Sequence, residues 1–141
     1  MLVWSHDINK DGWTDLILLK TFLSALTYFS NSPSGWRHEN PIALGDAGAI
    51  WIDICDIDGD GAVDMVVAAY RDDGVGWHRQ LGLSLQFGSR EDVGSILGAS
   101  SVSCRDVNAD GHMDVVATGM DSDAVVWCVY QFITDTDTEK V

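Results

Sequence analysis

The sequence predicts an all-β chain of β-propeller-type blades, each made of four antiparallel strands, with about three blades in the chain. Three observations predict it. An Asp-rich loop occurs three times, as DINKDGWTD from Asp7, DIDGDGAVD from Asp56 and DVNADGHMD from Asp106, at intervals of 49 and 50 residues. An aromatic residue falls 21 positions after the first Asp of each copy, at Tyr28, Trp77 and Trp127. Apolar segments of strand length flank every copy, and their aliphatic, β-branched composition favours buried strands over helices.

The elements follow in order. A first strand precedes each loop, at residues 2–6, 50–55 and 102–105, and a second follows it, at 16–19, 65–69 and 115–117. The third carries the repeated aromatic, in SALTYFS, GVGWHRQ and AVVWCVY. A fourth is read at 35–42 and 85–93, with Trp36 and Phe87 in similar places, and turn residues such as NSPSG and RDDG separate the strands. Four short strands per unit of ~50 residues is the anatomy of a propeller blade. The blades are assigned to residues 1–46, 47–97 and 98–141, all within one structural domain, the last cut short because 14 residues follow Trp127.

With 141 residues and 46 % apolar content, the chain is large enough to bury a core. Its net charge of −14, from 22 acidic and 8 basic residues, disfavours nucleic acid and anionic membranes as partners and favours cations. Ten of the carboxylates lie in the three loops. No apolar run approaches the ~18 to 20 residues of a membrane span. The opening MLVWSHD has no signal-peptide pattern, so the protein stays inside the cell or the chain is a mature form or fragment. Cys55, Cys104 and Cys128 have no metal-finger spacing. Cys104 and Cys128, on the first and third strands of one blade, would stand roughly 9.5 Å apart, beyond the ~7 Å Cα limit of a disulfide. All three are therefore expected to be buried or idle thiols.

Within each loop, positions 1, 3, 5 and 9 carry oxygen side chains: Asp7, Asn9, Asp11 and Asp15; Asp56, Asp58, Asp60 and Asp64; Asp106, Asn108, Asp110 and Asp114. Position 6 is always glycine (Gly12, Gly61, Gly111), which permits a sharp turn. Position 7 (Trp13, Ala62, His112) varies freely, as expected if only its backbone carbonyl is used. Carboxylates converging without a cation repel one another, and a hard divalent ion relieves that. Calcium accepts six to eight oxygens in loose geometry, whereas no His or Cys stands where zinc would need one. A bare polar turn would explain one copy, but not three with the constrained positions intact. An EF-hand is excluded because it needs a Glu at position 12, where Leu18, Val67 and Ala117 stand, and helices on both sides. The reading is thus three Ca²⁺ sites, one per loop, with the position-9 Asp as the final ligand.

The pattern Dx[DN]xDGxxD leading into an aliphatic strand, repeated about every 50 residues, resembles the FG-GAP/VCBS repeat of the integrin α N-terminal propeller and of many bacterial secreted proteins. The resemblance spans almost the whole chain. It implies a loop between the first and second strands of each blade, holding one Ca²⁺ for rigidity through the residues named above and the position-7 carbonyls of Trp13, Ala62 and His112. It also implies binding of proteins or glycans through loops on the propeller face. The FG and GAP signatures survive only in fragments such as Phe87-Gly88. Three blades are too few to close a ring of about four to eight, and an open ring exposes strand edges. The chain is accordingly read as a piece of a longer propeller or a component of an assembly, with pairing of two chains into six blades close behind.

No catalytic constellation is found, so the chain is read as a non-enzyme. His6, His38, His78 and His112 are scattered, and no GxSxG, P-loop or GxGxxG occurs. Asp53 is placed to line a central channel, with Trp4 and Ser103 as its counterparts. Tyr28, Trp77 and Trp127 are expected to pack between blades. Trp4, Trp13, Trp36 and Trp51 share no single register, and core packing is expected for them, with sugar stacking or a protein interface as the alternative. The expected function is a calcium-binding structural or adhesive interaction module, outside the cell or on its surface, in a homo-oligomer or larger assembly. A carbohydrate-binding lectin and a non-catalytic part of a larger secreted enzyme are the alternatives.

Overall fold

The computed structural model describes residues 1–21, 25–38, 41–82 and 86–128, the side chain of Ala43 excepted. They form three antiparallel sheets in chain order. The first contains β1 (Leu2–His6), β2 (Asp15–Lys20) and β3 (Ala25–Ser30), with two short strands, β4 (Arg37–His38) and β5 (Ile42–Ala43), both paired to β3. The second runs in the order β6 (Ala49–Cys55), β7 (Asp64–Ala69), β8 (Gly74–His78) and β9 (Glu91–Ser95). The third comprises β10 (Ala99–Arg105), β11 (Asp114–Gly119) and β12 (Ala124–Cys128). The fold is therefore all-β, with sheets of blade topology not closed into a ring. Among the described residues no helix is long and apolar enough to cross a membrane.

Strand alternation gives each sheet two faces, and both are used between sheets. Ile17, Leu19, Leu26 and Tyr28 of the first sheet bury against Ile52, Met65 and Val67 of the second. One repeat later, Val66, Ala68, Val75 and Trp77 bury against Val102, Cys104, Val115 and Ala117 of the third. The middle strand β7 is buried along its whole length because it has a neighbour on both faces. Its near-continuous apolar sequence, DMVVAA, follows from that position.

The fourth strands differ from expectation. In the second sheet the strand is β9, and Phe87 makes only an isolated bridge with Gln80. In the first sheet the strand is broken into β4 and β5, and Trp36 is 56 % exposed while Phe87 packs at the edge of the core, so the two are not equivalent. Parts of these expected strands, at 39–40 and 85, lie outside the described residues, as do the end of the third blade's third strand and its tail, 129–141.

The cysteine expectation is also corrected. Cys55 on β6 and Cys104 on β10 form a disulfide, with Cα atoms 6.2 Å apart, while Cys128 is a free thiol. The spacing argument compared strands within a blade, whereas the bond joins the first strands of consecutive blades, which lie side by side. Asp53 works at the same seam. Its carboxylate accepts hydrogen bonds from the Ile54 N–H and, across to β10, from the Cys104 N–H at 2.9 Å each. It ties two first strands together instead of standing free in a channel.

Candidate metal centres

Each Asp-rich loop connects the first and second strands of its sheet, and the three share one backbone path. Position 4 is left-handed in every copy, at Lys10 (φ 57°), Gly59 (φ 71°) and Ala109 (φ 62°). Position 6 is left-handed too, at Gly12, Gly61 and Gly111 (φ 89°, 88° and 91°), which is why glycine recurs there. The carboxylates hold this path by accepting backbone N–H groups. Position 1 accepts from position 6: Asp7 from Gly12 (2.8 Å), Asp56 from Gly61 (2.8 Å) and Asp106 from Gly111 (3.0 Å). Position 3 accepts from position 5, through Asn9, Asp58 and Asn108. Position 5 accepts from position 7, so that the Trp13, Ala62 and His112 N–H groups donate to Asp11, Asp60 and Asp110. Those bonds hold Asp60 and Asp110 below the usual carboxylate range, helped by Arg79 beside Asp60 and by Asn108 beside Asp110.

The position-9 residues Asp15, Asp64 and Asp114 are all fully buried. Each accepts the N–H of position 2: Ile8 to Asp15, Ile57 to Asp64, and Val107 to Asp114, at 3.0–3.1 Å. The other oxygen of Asp15 and Asp64 accepts from the backbone after the third strand, at Asn31 and Gln80, both at 2.8 Å. Tyr28 donates its hydroxyl to Asp15 at 2.7 Å, and the Trp77 indole makes a weaker polar contact with Asp64. The constant interval from first Asp to aromatic thus places a polar-tipped ring on the buried carboxylate in blades 1 and 2. Trp127, in the same register, is 50 % exposed, contrary to the expectation that it packs between blades; Trp77 is covered by the third sheet, and no described sheet lies on the corresponding face of β12.

Loop 2 gathers the most charge. Oxygens of Asp56, Asp58 and Asp64 all lie within 4.8 Å of one another, the only such triad among the described residues. Loops 1 and 3 put the amides Asn9 and Asn108 at position 3 where loop 2 has Asp58. The Asp58 side chain is 3 % exposed, and buried Oδ1 of Asp56 has no hydrogen-bond partner. Burial, aided by the Asp58 charge, pushes Asp64 up to about 6. Arg79 answers part of this charge: its Nε lies 2.7 Å from Asp58 Oδ2, without good hydrogen-bond alignment, and its Nη2 donates to Asp60 at 3.0 Å. A buried, oxygen-only cluster with an orphaned carboxylate oxygen fits a hard divalent cation.

Several residues that organise the site are not marked by any motif. Gln80, 1 % exposed, accepts the Val63 N–H and donates 3.2 Å to the Ile8 carbonyl of loop 1, joining loops in consecutive blades. Buried Asp46 lies 2.7 Å from His78 Nε2 and 2.9 Å from Arg90, and the other ring nitrogen of His78 faces the Gly88 carbonyl. Arg90 also reaches Asp72 and Asp92, so this group staples the link between blades 1 and 2 to the edge of blade 2. The remaining tryptophans are not core residues as a set. Trp13, Trp36 and Trp51 are 44 %, 56 % and 36 % exposed, and Trp4 packs at the core's edge with its ring edge-to-face against Trp51 at 6.0 Å.

Comparison with curated proteins finds no match. The family model for the FG-GAP-like repeat matches twice, over residues 7–67 and 56–117, each match running from the first Asp of one loop into the second strand of the next blade. These matches cover most of the chain and reproduce the period seen in the sheets, and on them the chain belongs to the FG-GAP-like repeat family, as a β-propeller-type repeat module.

Proposed function

We propose that this chain is a calcium-binding structural and adhesive interaction module, with one Ca²⁺ in each of the three loops and no catalytic role of its own. The observation that carries the reading is the shared loop path: three loops repeat one pair of left-handed positions, and in loop 2 three carboxylates converge with an orphaned oxygen. The ligands are the side chains at positions 1, 3, 5 and 9 with the carbonyl at position 7. Bound calcium relieves the repulsion among them and stiffens each first-to-second strand connection. An extracellular or cell-surface location agrees with both the abundance of calcium there and the Cys55–Cys104 disulfide, a bond favoured in oxidising compartments.

Calcium added to metal-stripped protein should bind three ions by titration calorimetry and raise the melting temperature by mass action. Unchanged melting would count against the reading. A lectin is the second reading, favoured by exposed Trp13 and Trp36, which offer flat apolar rings to a sugar or a protein surface. Glycan-array binding that disappears in Trp36→Ala would support it, and binding that persists would not. An accessory role in a larger secreted enzyme would place the chemistry elsewhere in the polypeptide or in a partner.

A further inference from the structure

We propose that the loops of blades 1 and 2 are thermodynamically coupled through Gln80, so that calcium bound in either one tightens its binding in the other. The coupling deepens the calcium reading above and rests on it. Gln80 is then a positioning residue that acts on two sites at once.

Gln80 meets each loop at a peptide tied to the proposed ligands. Its Oε1 accepts the Val63 N–H at 3.0 Å, and its Nε2 donates to the Ile8 carbonyl at 3.2 Å. The Val63 N–H belongs to the same peptide group as the Ala62 carbonyl, the proposed position-7 ligand of loop 2. The backbone N–H of Gln80 donates to Asp64, the proposed position-9 ligand, at 2.8 Å. In loop 1, Ile8 stands between the proposed ligands Asp7 and Asn9, and its own N–H donates to Asp15 at position 9, at 3.1 Å. Ile8 is thus held at its N–H by Asp15 and at its carbonyl by Gln80. One buried amide therefore joins a ligand-bearing peptide of loop 2 to a peptide flanked by ligands in loop 1.

Coupling follows from polarisation and from order. A peptide whose carbonyl coordinates a cation carries a stronger N–H donor, so Val63 bonds more strongly to Gln80, and the Gln80 amide in turn bonds more strongly to Ile8. Gln80, Ile8 and Val63 are 1 %, 1 % and 7 % exposed, and the low dielectric around them strengthens every bond in the chain. Holding Ile8 also fixes the backbone between Asp7 and Asn9, which lowers the ordering cost of filling loop 1. The link belongs to this blade and is not a consequence of the repeat. Asn31, in the register of Gln80, turns its shorter side chain to its own turn and accepts the Ser32 N–H at 3.0 Å. The Lys10 ammonium also reaches across from loop 1 to Gly61 of loop 2, where its charge acts on Asp60. That charge opposes a cation in loop 2, but Lys10 is exposed and the effect is weak.

Titration calorimetry with calcium at about 0.15 M salt, where repulsion between ions in separate loops is largely screened, measures the coupling. Every chain in the set carries Asp110→Ala, which silences loop 3. Asp11→Ala then silences loop 1 and Asp60→Ala silences loop 2. All three positions are exposed, so folding should persist, and circular dichroism checks it. Loop 2 should bind calcium about fivefold more weakly once loop 1 is silenced, and loop 1 should lose the same factor when loop 2 is silenced, because coupling is reciprocal. In Gln80→Met, which keeps the length but neither bond, both ratios should fall to about one or below. Gln80→Glu keeps the acceptor for Val63 and loses the donor to Ile8, so it should behave alike, and it decides the question alone if Gln80→Met does not fold. A merely structural Gln80 would lower the melting temperature of the variants and leave the ratios intact. With loop 1 silenced, calcium should also slow hydrogen exchange at the Ile8 amide beyond the slowing seen across the sheets, and it should not do so in the Gln80 variants. Ratios of about one with Gln80 in place, or ratios untouched by both substitutions, overturn the proposal while the calcium reading stands. A chain that binds no calcium ends both.

Discussion

Arg79 and Asp64 act on the same loop with opposite chemistry. The Arg79 guanidinium spans Asp58 and Asp60, so a divalent ion entering loop 2 competes with a cation the chain already provides. Its side chain is 49 % exposed, which keeps the pairing weak. Arg79→Gln should therefore tighten calcium binding at one site of three by roughly fivefold, read as a change in the calorimetric isotherm, while the other two sites keep their affinity. Equal affinity in variant and wild type would mean the guanidinium swings clear at no cost. Asp64 sets a pH dependence. Burial raises its carboxyl to about 6 from 3.8, so between those values the folded, metal-free protein holds a proton that the unfolded chain has released. The stabilisation from this group is complete below about pH 3.8 and is lost as pH rises through about 6. Asp60 and Asp110, held low, work in the opposite direction at more acid pH. Asp64→Asn should remove the falling component, so urea titrations at about pH 4 and about pH 6.5 should differ between wild type and variant by on the order of 1–2 kcal/mol.

Connections between sheets depend on groups that belong to no repeat. Gln80 satisfies the Val63 N–H and the Ile8 carbonyl through one side chain, and its own N–H is held by Asp64. Gln80→Leu fills similar space but leaves a buried donor and acceptor unpaired, and should destabilise the protein by about 2–4 kcal/mol in urea titrations. A loss under about 0.5 kcal/mol would show that water replaces the amide. The contrast with the loops explains what could be read in advance. Positions 1, 3, 5, 6 and 9 were legible because side-chain chemistry there is dictated by geometry and appears three times. Position 4 was not, because Lys10, Gly59 and Ala109 share a backbone conformation and no chemistry. The strands around each loop were legible from their apolar runs, whereas β9 was misplaced because EDVGS carries little apolar signal and follows a long connection. Gln80 has Asn31 in its register in blade 1, too different to register as a repeat. Cys55 and Cys104 meet across a blade joint, a contact that strand spacing within one sheet does not reveal.

At the scale of the molecule, charge and apolar surface oppose each other. The chain carries −14, with ten carboxylates in the loops, so the folded protein repels itself unless the loops are neutralised. Three calcium ions would add six positive charges and leave −8 per chain. The packing at the blade joints is apolar, with Ile52, Met65 and Val67 set against blade 1 and Val66, Val75 and Trp77 against blade 3. Its short-range attraction does not depend on salt, whereas the repulsion does. Raising ionic strength from about 0.01 M to about 0.1 M shortens the screening length from about 30 Å to about 10 Å. The melting temperature of the metal-free chain should therefore rise by a few degrees over that range, and calcium at low salt should raise it further and flatten the salt dependence. Thermal melts at four conditions, with and without calcium at each salt level, separate the two contributions. Melting that falls with added salt would mean that ion pairs such as those of Arg90 with Asp46 and Asp72 outweigh the repulsion among the loops.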